Sequence, residues 1–176
     1  MVKIGLLGHG VVGTGVVEVL KNKAEQLVEL TGEKIEVKSV LVRHDYDVDY
    51  KEKFVYDFDE ILNDDEISIV VEAIGGTDPA YRYVKSALEK GKSVVTSNKE
   101  LVAKHGYELM NIADEKNINF MFEAAVGGAI PVIHGVRNCL KANKVNSIAG
   151  ILNGTTNYIL TKMIDEKQSF DIALKA

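Results

Sequence analysis

The feature that most constrains the fold is a glycine-rich turn between a short apolar strand and a long helical pattern. Residues 8–13 read GHGVVG, directly after the strand pattern of residues 2–7. In such a turn the first glycine permits the bend, the second lets the backbone approach a pyrophosphate, and the third lets helix and strand pack closely. The helix N-terminus adds N–H groups and partial positive charge. The pattern predicts a dinucleotide site at Gly8, Gly10, Val11, Val12 and Gly13; a purely structural strand-turn-helix is the alternative.

Strands and helices alternate over the first 125 residues. The patterns predict strands at 2–7, 35–42, 67–74, 93–96 and 118–123, and helices at 11–30, at 78–89 and around 101–113. Strands separated by helices indicate a parallel sheet covered on both faces. We expect the almost continuously apolar strand at 67–74 to be central. The predicted fold class is α/β, with a Rossmann-type doubly wound parallel sheet over residues 1–129.

The pattern changes after about residue 125. Glycines at 127 and 128 and Pro131 interrupt regular structure, a helix is predicted over 132–140, a strand over 144–152, and helix again from Tyr158 onward. No stop signal precedes Ala176. We therefore expect residues 130–176 to form the opening elements of a second, α+β domain.

Composition and charge exclude several classes of protein. The 176 residues carry a net charge of −5, and the lysines and arginines are scattered, so we expect no nucleic-acid partner. Neither a secretory signal nor an apolar run of roughly 18 residues is present, so we expect no membrane partner and a cytoplasmic location. The single cysteine, Cys139, excludes an internal disulfide and reads as a small core residue among apolar neighbours.

Ligands of open α/β sheets bind at the carboxyl ends of the strands, so the residues after each strand are candidate ligand contacts. Arg43 follows the second strand. A guanidinium can bind the 2′-phosphate of NADP in a bidentate way, which favours NADP. A solvated surface arginine is the alternative, and Asp45 keeps NAD open as the cofactor.

Two glycines and a hydroxyl follow the third strand, as Gly75, Gly76 and Thr77. Bare backbone at this point would let the nicotinamide ribose or ring lie close. Asp78 is expected to cap the next helix, with Pro79 in its first turn. A plain loop before a capped helix is the alternative interpretation.

Lys99 follows the next strand, in the segment TSNK. A lysine is more often a surface residue than a catalytic one. At a strand end beside a nicotinamide, however, an ammonium could hydrogen-bond a carbonyl or alcohol oxygen and steady the charge that develops there during hydride transfer. Lys99 is therefore the candidate catalytic residue.

A further glycine-broken turn follows the last predicted strand of the sheet. It brings together one carboxylate and several main-chain carbonyls, at Glu123, Val126, Gly128 and Ile130. Hard cations take oxygen ligands of this kind, but on the residues alone an ordinary turn is the better interpretation. The four histidines lie far apart, without metal-ligand spacing, and are interpreted as solvent-facing or packing residues.

Five segments resemble homoserine dehydrogenase, in order and over nearly the whole chain. They are GHGVVG, VVEAIGG, VVTSNKELVAKHG, FEAAVGGAIPVI and GILNGTTNYILTKM. The last two are far more specific than the glycine motif. The resemblance implies an oxidoreductase that reduces L-aspartate 4-semialdehyde to L-homoserine with NADPH or NADH, in threonine, methionine and isoleucine biosynthesis.

The resemblance also implies site residues. Cofactor contacts fall on the glycine turn, Arg43, Gly75 to Thr77 and Lys99; a sodium ion on Glu123 and the carbonyls of Val126, Gly128 and Ile130; and substrate on Gly154 and Thr155. Residues 130–176 would begin the substrate and dimerisation domain of a homodimer. The family's later acidic residues and proton-donor lysine have no counterpart in these 176 residues, so we expect cofactor binding with little or no turnover.

Two other functions remain open. A regulatory or sensing module could use the same cofactor-binding half without chemistry, although it would need neither Lys99 nor a substrate segment. A different semialdehyde reductase would need a catalytic cysteine in a polar, glycine-rich loop, whereas Cys139 lies in an apolar helical pattern.

Overall fold

A computed structural model describes residues 1–151 and 153–175, which form two compact units, Met1–Ile130 and Pro131–Ala176. The first unit carries the whole sheet. No helix in the described part of the chain is long and apolar enough to cross a membrane.

Six parallel strands form the sheet, in the order β3-β2-β1-β4-β5-β6. They are β1 (Val2–Leu7), β2 (Ile35–Leu41), β3 (Phe54–Val55), β4 (Ile67–Glu72), β5 (Ser93–Thr96) and β6 (Phe120–Met121). The predicted parallel α/β sheet is confirmed, with β4 beside β1 at its centre. The strand order reverses between these two strands, and ligands bind at the carboxyl ends beside such a switch point.

Six helices complete this unit. They are α1 (Val11–Asn22), α2 (Ala24–Thr31), α3 (Phe58–Leu62), α4 (Ala80–Glu89), α5 (Lys99–Glu115) and α6 (Glu123–Val126), with a short 3₁₀ segment at Lys51–Lys53. The predicted helix over 11–30 is broken at Lys23, whose ψ of 19° departs from helical geometry. Gly32 ends α2 in the left-handed conformation, at φ 76°.

Two hydrophobic clusters pack against the sheet. One gathers buried residues of α3, α4 and α5, including Ile61, Leu88 and Leu109; the other gathers Val17 of α1 with buried residues of β1 and β2. Neighbouring side chains on a strand point to opposite faces, and in β1 Leu6 belongs to the second cluster while Leu7 belongs to the first. The sheet is therefore covered on both faces.

The second unit contains a π-helical segment (Gly135–Cys139) and two helices, α7 (Gly154–Asp165) and α8 (Phe170–Lys175), which contact each other. The strand predicted over 144–152 is wrong for residues 144–151, which form none; Leu152 lies outside the described residues. No strand of this unit's described residues offers a pairing partner, and an unpaired strand is not stable. Cys139 is exposed, so its interpretation as a core residue is also wrong.

Candidate functional site

The three glycines of the turn between β1 and α1 have different steric surroundings. Gly8 has a left-handed φ of +98°, and a Cβ there would lie 2.9 Å from the Ala73 carbonyl oxygen. A Cβ on Gly13 would lie 2.2 Å from the Gly8 carbonyl oxygen, whereas one on Gly10 would meet nothing within 4 Å. Gly8 and Gly13 therefore bring turn, strand and helix together, and Gly10 leaves its outer face open to a ligand.

The N-terminus of α1 faces the same open side. Gly10 is its N-cap and provides no side chain to bind the first N–H groups of this 12-residue helix. Val11 is 93% exposed and Val12 is half exposed. The first N–H groups of a helix have no partner within it and carry partial positive charge, so this end suits a pyrophosphate.

A cleft of about 370 Å³ opens beside the turn, between the carboxyl ends of β1, β2 and β4. Arg43 lines it and is exposed, and within the described residues it has no ion-pair or hydrogen-bond partner. Asp45 accepts a hydrogen bond from the Tyr56 hydroxyl, which also raises the pKa of Tyr56. The cation at this strand end is thus available to a ligand, while the nearby carboxylate is engaged.

His9 packs beneath the cleft. Its ring is buried, lies 4.4 Å from the Tyr46 ring and 5.3 Å from the Phe54 ring, and its Nε2 is hydrogen-bonded to the Tyr50 hydroxyl at 2.8 Å. Burial lowers the pKa of His9, which favours the neutral ring. His9 therefore joins the glycine turn to the segment that carries Arg43, as a packing residue.

Glu72 is a buried carboxylate that the sequence pattern did not reveal as a site residue. It ends β4 and is fully buried. Oε1 accepts hydrogen bonds from the N–H groups of Ile74 at 2.8 Å and Gly75 at 3.2 Å, and Oε2 accepts one from the Thr96 hydroxyl at 2.5 Å. The signal in the sequence was a lone charged residue in an almost continuously apolar central strand.

Asn98 connects the end of β5 to the same loop. Its Oδ1 accepts a hydrogen bond from the Leu101 N–H at 3.1 Å, which caps α5, and its side-chain amide donates to the Gly76 carbonyl at 2.5 Å. Its own N–H donates to the Thr96 hydroxyl oxygen at 3.0 Å. The loop after β4 and the start of α5 are thus joined by side-chain hydrogen bonds.

The predicted contacts on these two loops lie at the surface. Gly75 and Gly76 have left-handed φ values of 78° and 70°, and a Cβ on either would meet nothing within 4 Å. Lys99 is exposed as the first residue of α5 and has no side-chain partner within the described residues. The Thr77 hydroxyl oxygen accepts a hydrogen bond from Lys104 at 3.2 Å. The two loops therefore present bare backbone and an unpaired ammonium at one edge of the sheet.

The predicted cap role of Asp78 is wrong. The N-cap residue of α4 is Pro79, and no side chain caps that helix. Asp78 instead accepts a hydrogen bond from Arg82 at 3.0 Å, one turn along the helix. Its carboxylate is therefore held by an i,i+4 ion pair rather than by the first N–H groups of the helix.

The proposed cation ligands follow β6. Glu123 begins α6, where a strand residue was predicted, and its carbonyl accepts from the Gly127 N–H at 3.0 Å. The Ile130 N–H donates to the Gly127 carbonyl at 3.3 Å, which folds the turn back. The described residues contain no cluster of three or more acidic, histidine or cysteine side chains that could hold a metal. A cation here would depend on main-chain oxygens, and the site at Glu123, Val126, Gly128 and Ile130 stays a prediction.

The predicted substrate residues belong to the second unit. Gly154 and Thr155 are exposed and form the first turn of α7. Asn153 caps this helix, because its Oδ1 accepts from the Thr156 N–H at 2.8 Å. The two residues therefore lie at a capped helix N-terminus, and their substrate role stays a prediction.

The chain is similar to known proteins over nearly its whole length. A family model described as the NAD binding domain of homoserine dehydrogenase matches residues 8–123, and a second, described as homoserine dehydrogenase, matches 131–176. The homoserine dehydrogenases of Lactococcus lactis and Bacillus subtilis are 39% and 38% identical to this chain over 98% and 99% of its length. The chain spans 42% and 41% of those relatives.

Solved structures agree with this similarity. A homoserine dehydrogenase from Thiobacillus denitrificans matches 99% of this chain and 41% of its own at 42% identity, with a TM-score of 0.90. A hyperthermophilic archaeal homoserine dehydrogenase in complex with NADPH matches 99% of this chain and 59% of its own at 29% identity, with a TM-score of 0.83.

Proposed function

Because the chain belongs to the homoserine dehydrogenase family, we propose that it binds NADPH or NADH for the interconversion of L-aspartate 4-semialdehyde and L-homoserine. The observation that carries the proposal is the edge of the sheet where the open glycine turn, Arg43 and Lys99 follow three different strands. The bound cofactor supplies the hydride chemistry. The chain's own residues bind it, orient it and stabilise charge on the reacting oxygen.

The cleft at the carboxyl ends of β1, β2 and β4 would hold the adenosine end of the cofactor. The N–H groups at the start of α1 bind the pyrophosphate, and the guanidinium of Arg43 binds the 2′-phosphate of NADPH. The exposure of Arg43 and its lack of a partner in the described part of the chain support this role. Asp45 accepts from Tyr56 and forms no ion pair with Arg43 in the described residues, so the guanidinium stays available for a phosphate and NADPH is favoured over NADH.

The nicotinamide end lies over the loop that follows β4. Gly75 and Gly76 offer backbone without side chains, and Thr77 adds a hydroxyl. The Lys99 ammonium, one residue after Asn98, donates to the oxygen of the aldehyde or alcohol and stabilises the charge that develops on it. Glu123 and the carbonyls of Val126, Gly128 and Ile130 would hold a cation such as sodium. Gly154 and Thr155 would contact the amino-acid substrate. The proposed assembly is a homodimer, and the proposed location is the cytoplasm.

The cofactor proposal is tested by fluorescence titration of the purified chain with NADPH and NADH. Arg43→Ala is expected to raise the Kd for NADPH by roughly 10- to 100-fold, because it removes charge-assisted hydrogen bonds to phosphate, and to leave the Kd for NADH unchanged. Lys38→Ala is the matched control: it removes a cation that pairs with Asp64 and Glu66, so both Kd values should stay as in the wild type. Failure of the wild-type chain to bind either dinucleotide would refute the proposal.

The role of Lys99 is tested by Lys99→Met in the complete enzyme. This change removes the ammonium but keeps most of the side-chain length. The Kd for NADPH should stay within about twofold, while the rate of NADPH oxidation with L-aspartate 4-semialdehyde falls by about 100-fold, as expected for an interaction made in the transition state. Unchanged turnover would remove Lys99 from the chemistry and leave the cofactor site intact.

A further inference from the structure

We infer that Glu72, Thr96 and Asn98 form a positioning network that fixes the loop of residues 75–77 relative to Lys99, and thereby holds the nicotinamide end of the cofactor. This inference rests on the proposed function, because it assigns these two segments to the nicotinamide. None of the three side chains is required to touch the reacting atoms. Each acts through the backbone that it holds.

The first arm of the network starts at Glu72. A charged carboxylate is costly to bury unless its oxygens are hydrogen-bonded, and here three donors meet its two oxygens. Two of the donors are the N–H groups of Ile74 and Gly75, at the point where the chain enters a left-handed turn. The carboxylate therefore fixes the entry of the glycine loop against the end of β4.

The second arm runs through Thr96 to Asn98. The Thr96 hydroxyl donates to Glu72 and accepts from the Asn98 N–H, so it relays the position of one strand end to the next. The Asn98 side chain then donates back to the Gly76 carbonyl. The glycine loop is thus held from both sides, by its N–H groups through Glu72 and by its carbonyl through Asn98.

The buried network leads to two exposed segments, the glycine loop after β4 and the start of α5. Glu72, Thr96 and Asn98 are buried, whereas Gly75, Gly76 and Lys99 are accessible. The space beside both glycines is open, since a Cβ added to either would meet nothing within 4 Å. The buried network ends at the open loop of residues 75–77 and next to Lys99. It therefore sets the distance between this loop and the Lys99 ammonium, both of which face the ligand.

The buried lysine Lys92 provides a matched control. It is also a buried charged residue beside β4, but its Nζ donates to the carbonyls of Asp64 and Ile67, where β4 begins. Its loss should affect the stability of the sheet without reaching the loop of residues 75–77. A variant here therefore separates a general loss of stability from a specific effect on the cofactor.

The experiment compares two ligands by isothermal titration calorimetry: NADPH, and adenosine 2′,5′-bisphosphate, which lacks the nicotinamide. Glu72→Gln keeps the side-chain volume but replaces one acceptor oxygen by an NH₂ donor, so the three present donors can no longer all be accepted. We expect its Kd for NADPH to rise about tenfold, as for the loss of one buried hydrogen bond, while the Kd for the bisphosphate stays within about twofold. Thr96→Val should act in the same way, and Thr96→Ser, which keeps the hydroxyl, should bind both ligands as the wild type does.

The outcomes distinguish this inference from the proposed function. A wild-type chain that binds neither ligand refutes the proposed function and the network with it. A wild type that binds both, with Glu72→Gln weakening both ligands equally or neither, overturns the network alone, as does Lys92→Met weakening NADPH to the same extent as Glu72→Gln. If Glu72→Gln does not fold, Thr96→Val against Thr96→Ser decides: equal NADPH affinity in these two variants overturns the inference.

Discussion

A buried ionisable side chain lies near each end of β4, and the two side chains have opposite kinds of partner: Glu72 accepts from N–H groups, and Lys92, which precedes β5, donates to carbonyls. At the carboxyl end, Glu72 binds the N–H groups of an open glycine loop. Near the amino end, Lys92 donates to the carbonyls of Asp64 and Ile67, at 2.6 and 2.7 Å. Lys38 adds ion pairs to Asp64 and Glu66 at that end.

The two ends differ in whether the nearby charged side chains have partners in the protein. At the amino end, backbone carbonyls accept from Lys92, and the carboxylates of Asp64 and Glu66 pair with Lys38. At the carboxyl end the buried carboxylate is satisfied by backbone and Thr96, while the cations Arg43 and Lys99 have no partner among the residues that the structure describes. An edge that neutralises its own charges contributes stability, whereas an edge that keeps cations unpaired around open backbone is suited to an anionic ligand.

A side chain at Gly13 in the glycine turn is expected to have the largest effect on the carboxyl end of the sheet. Gly13→Ala would place a methyl group 2.2 Å from the Gly8 carbonyl oxygen, so α1 must shift away from the turn. We expect the free energy of unfolding to fall by about 3 kcal/mol and the Kd for NADPH to rise by about a hundredfold. Thermal unfolding with and without NADPH measures both effects.

Gly15→Ala is the control in the same helix. A Cβ on Gly15 meets nothing within 4 Å, and alanine favours helix over glycine. The variant should therefore be more stable by about 0.5 to 1 kcal/mol, with the Kd for NADPH unchanged. Equal effects of the two alanines on NADPH binding would mean that the close approach at Gly13 has no role in the site.

Much of the carboxyl edge could be predicted from the sequence, because each of its parts follows a strand. The rule that ligands lie at strand ends identified Arg43 and Lys99 as candidates, and the bounds of β1 and β5 match the predicted strands. Glu72 was missed because its role depends on Thr96, which is 24 residues away in the chain but adjacent in the sheet. A contact between two residues on neighbouring strands does not appear in the hydrophobic periodicity of the sequence.

Short elements were missed for a different reason. β3 has two residues and α3 has five, too few to show a strand or helix period. The start of α3 did carry a readable signal, since Asp57 and Glu60 form a capping box. At 144–151 the opposite error occurred: apolar residues suggested a strand where the described residues of the second unit offer no neighbouring strand to pair with.

The contacts at the amino end of β4 are tested by Lys92→Met. We expect this change to lower the free energy of unfolding by less than Gly13→Ala does. Removing the ammonium leaves two buried carbonyl acceptors without this donor, so the free energy of unfolding should fall by about 1 to 3 kcal/mol. The Kd for NADPH should not change, because the lost contacts lie at the edge of the sheet away from the glycine turn. A weakening of NADPH binding comparable to that of Glu72→Gln would erase the distinction between the two ends.

The burial of Lys92 also predicts how the stability of the Lys92→Met variant depends on pH. Burial lowers the pKa of Lys92 below the value of 10.5 that it has in the unfolded chain. Between the lowered pKa and the unfolded one, the unfolded chain binds more protons, so the stability of the wild type rises with pH in that interval. The neutral amine still donates to both carbonyls, whereas the methionine of the variant has nothing to titrate. The stability difference between wild type and variant, measured by urea unfolding from about pH 7 to about pH 10.5, should therefore widen as pH rises; a constant difference would mean that the ammonium is not desolvated by the fold.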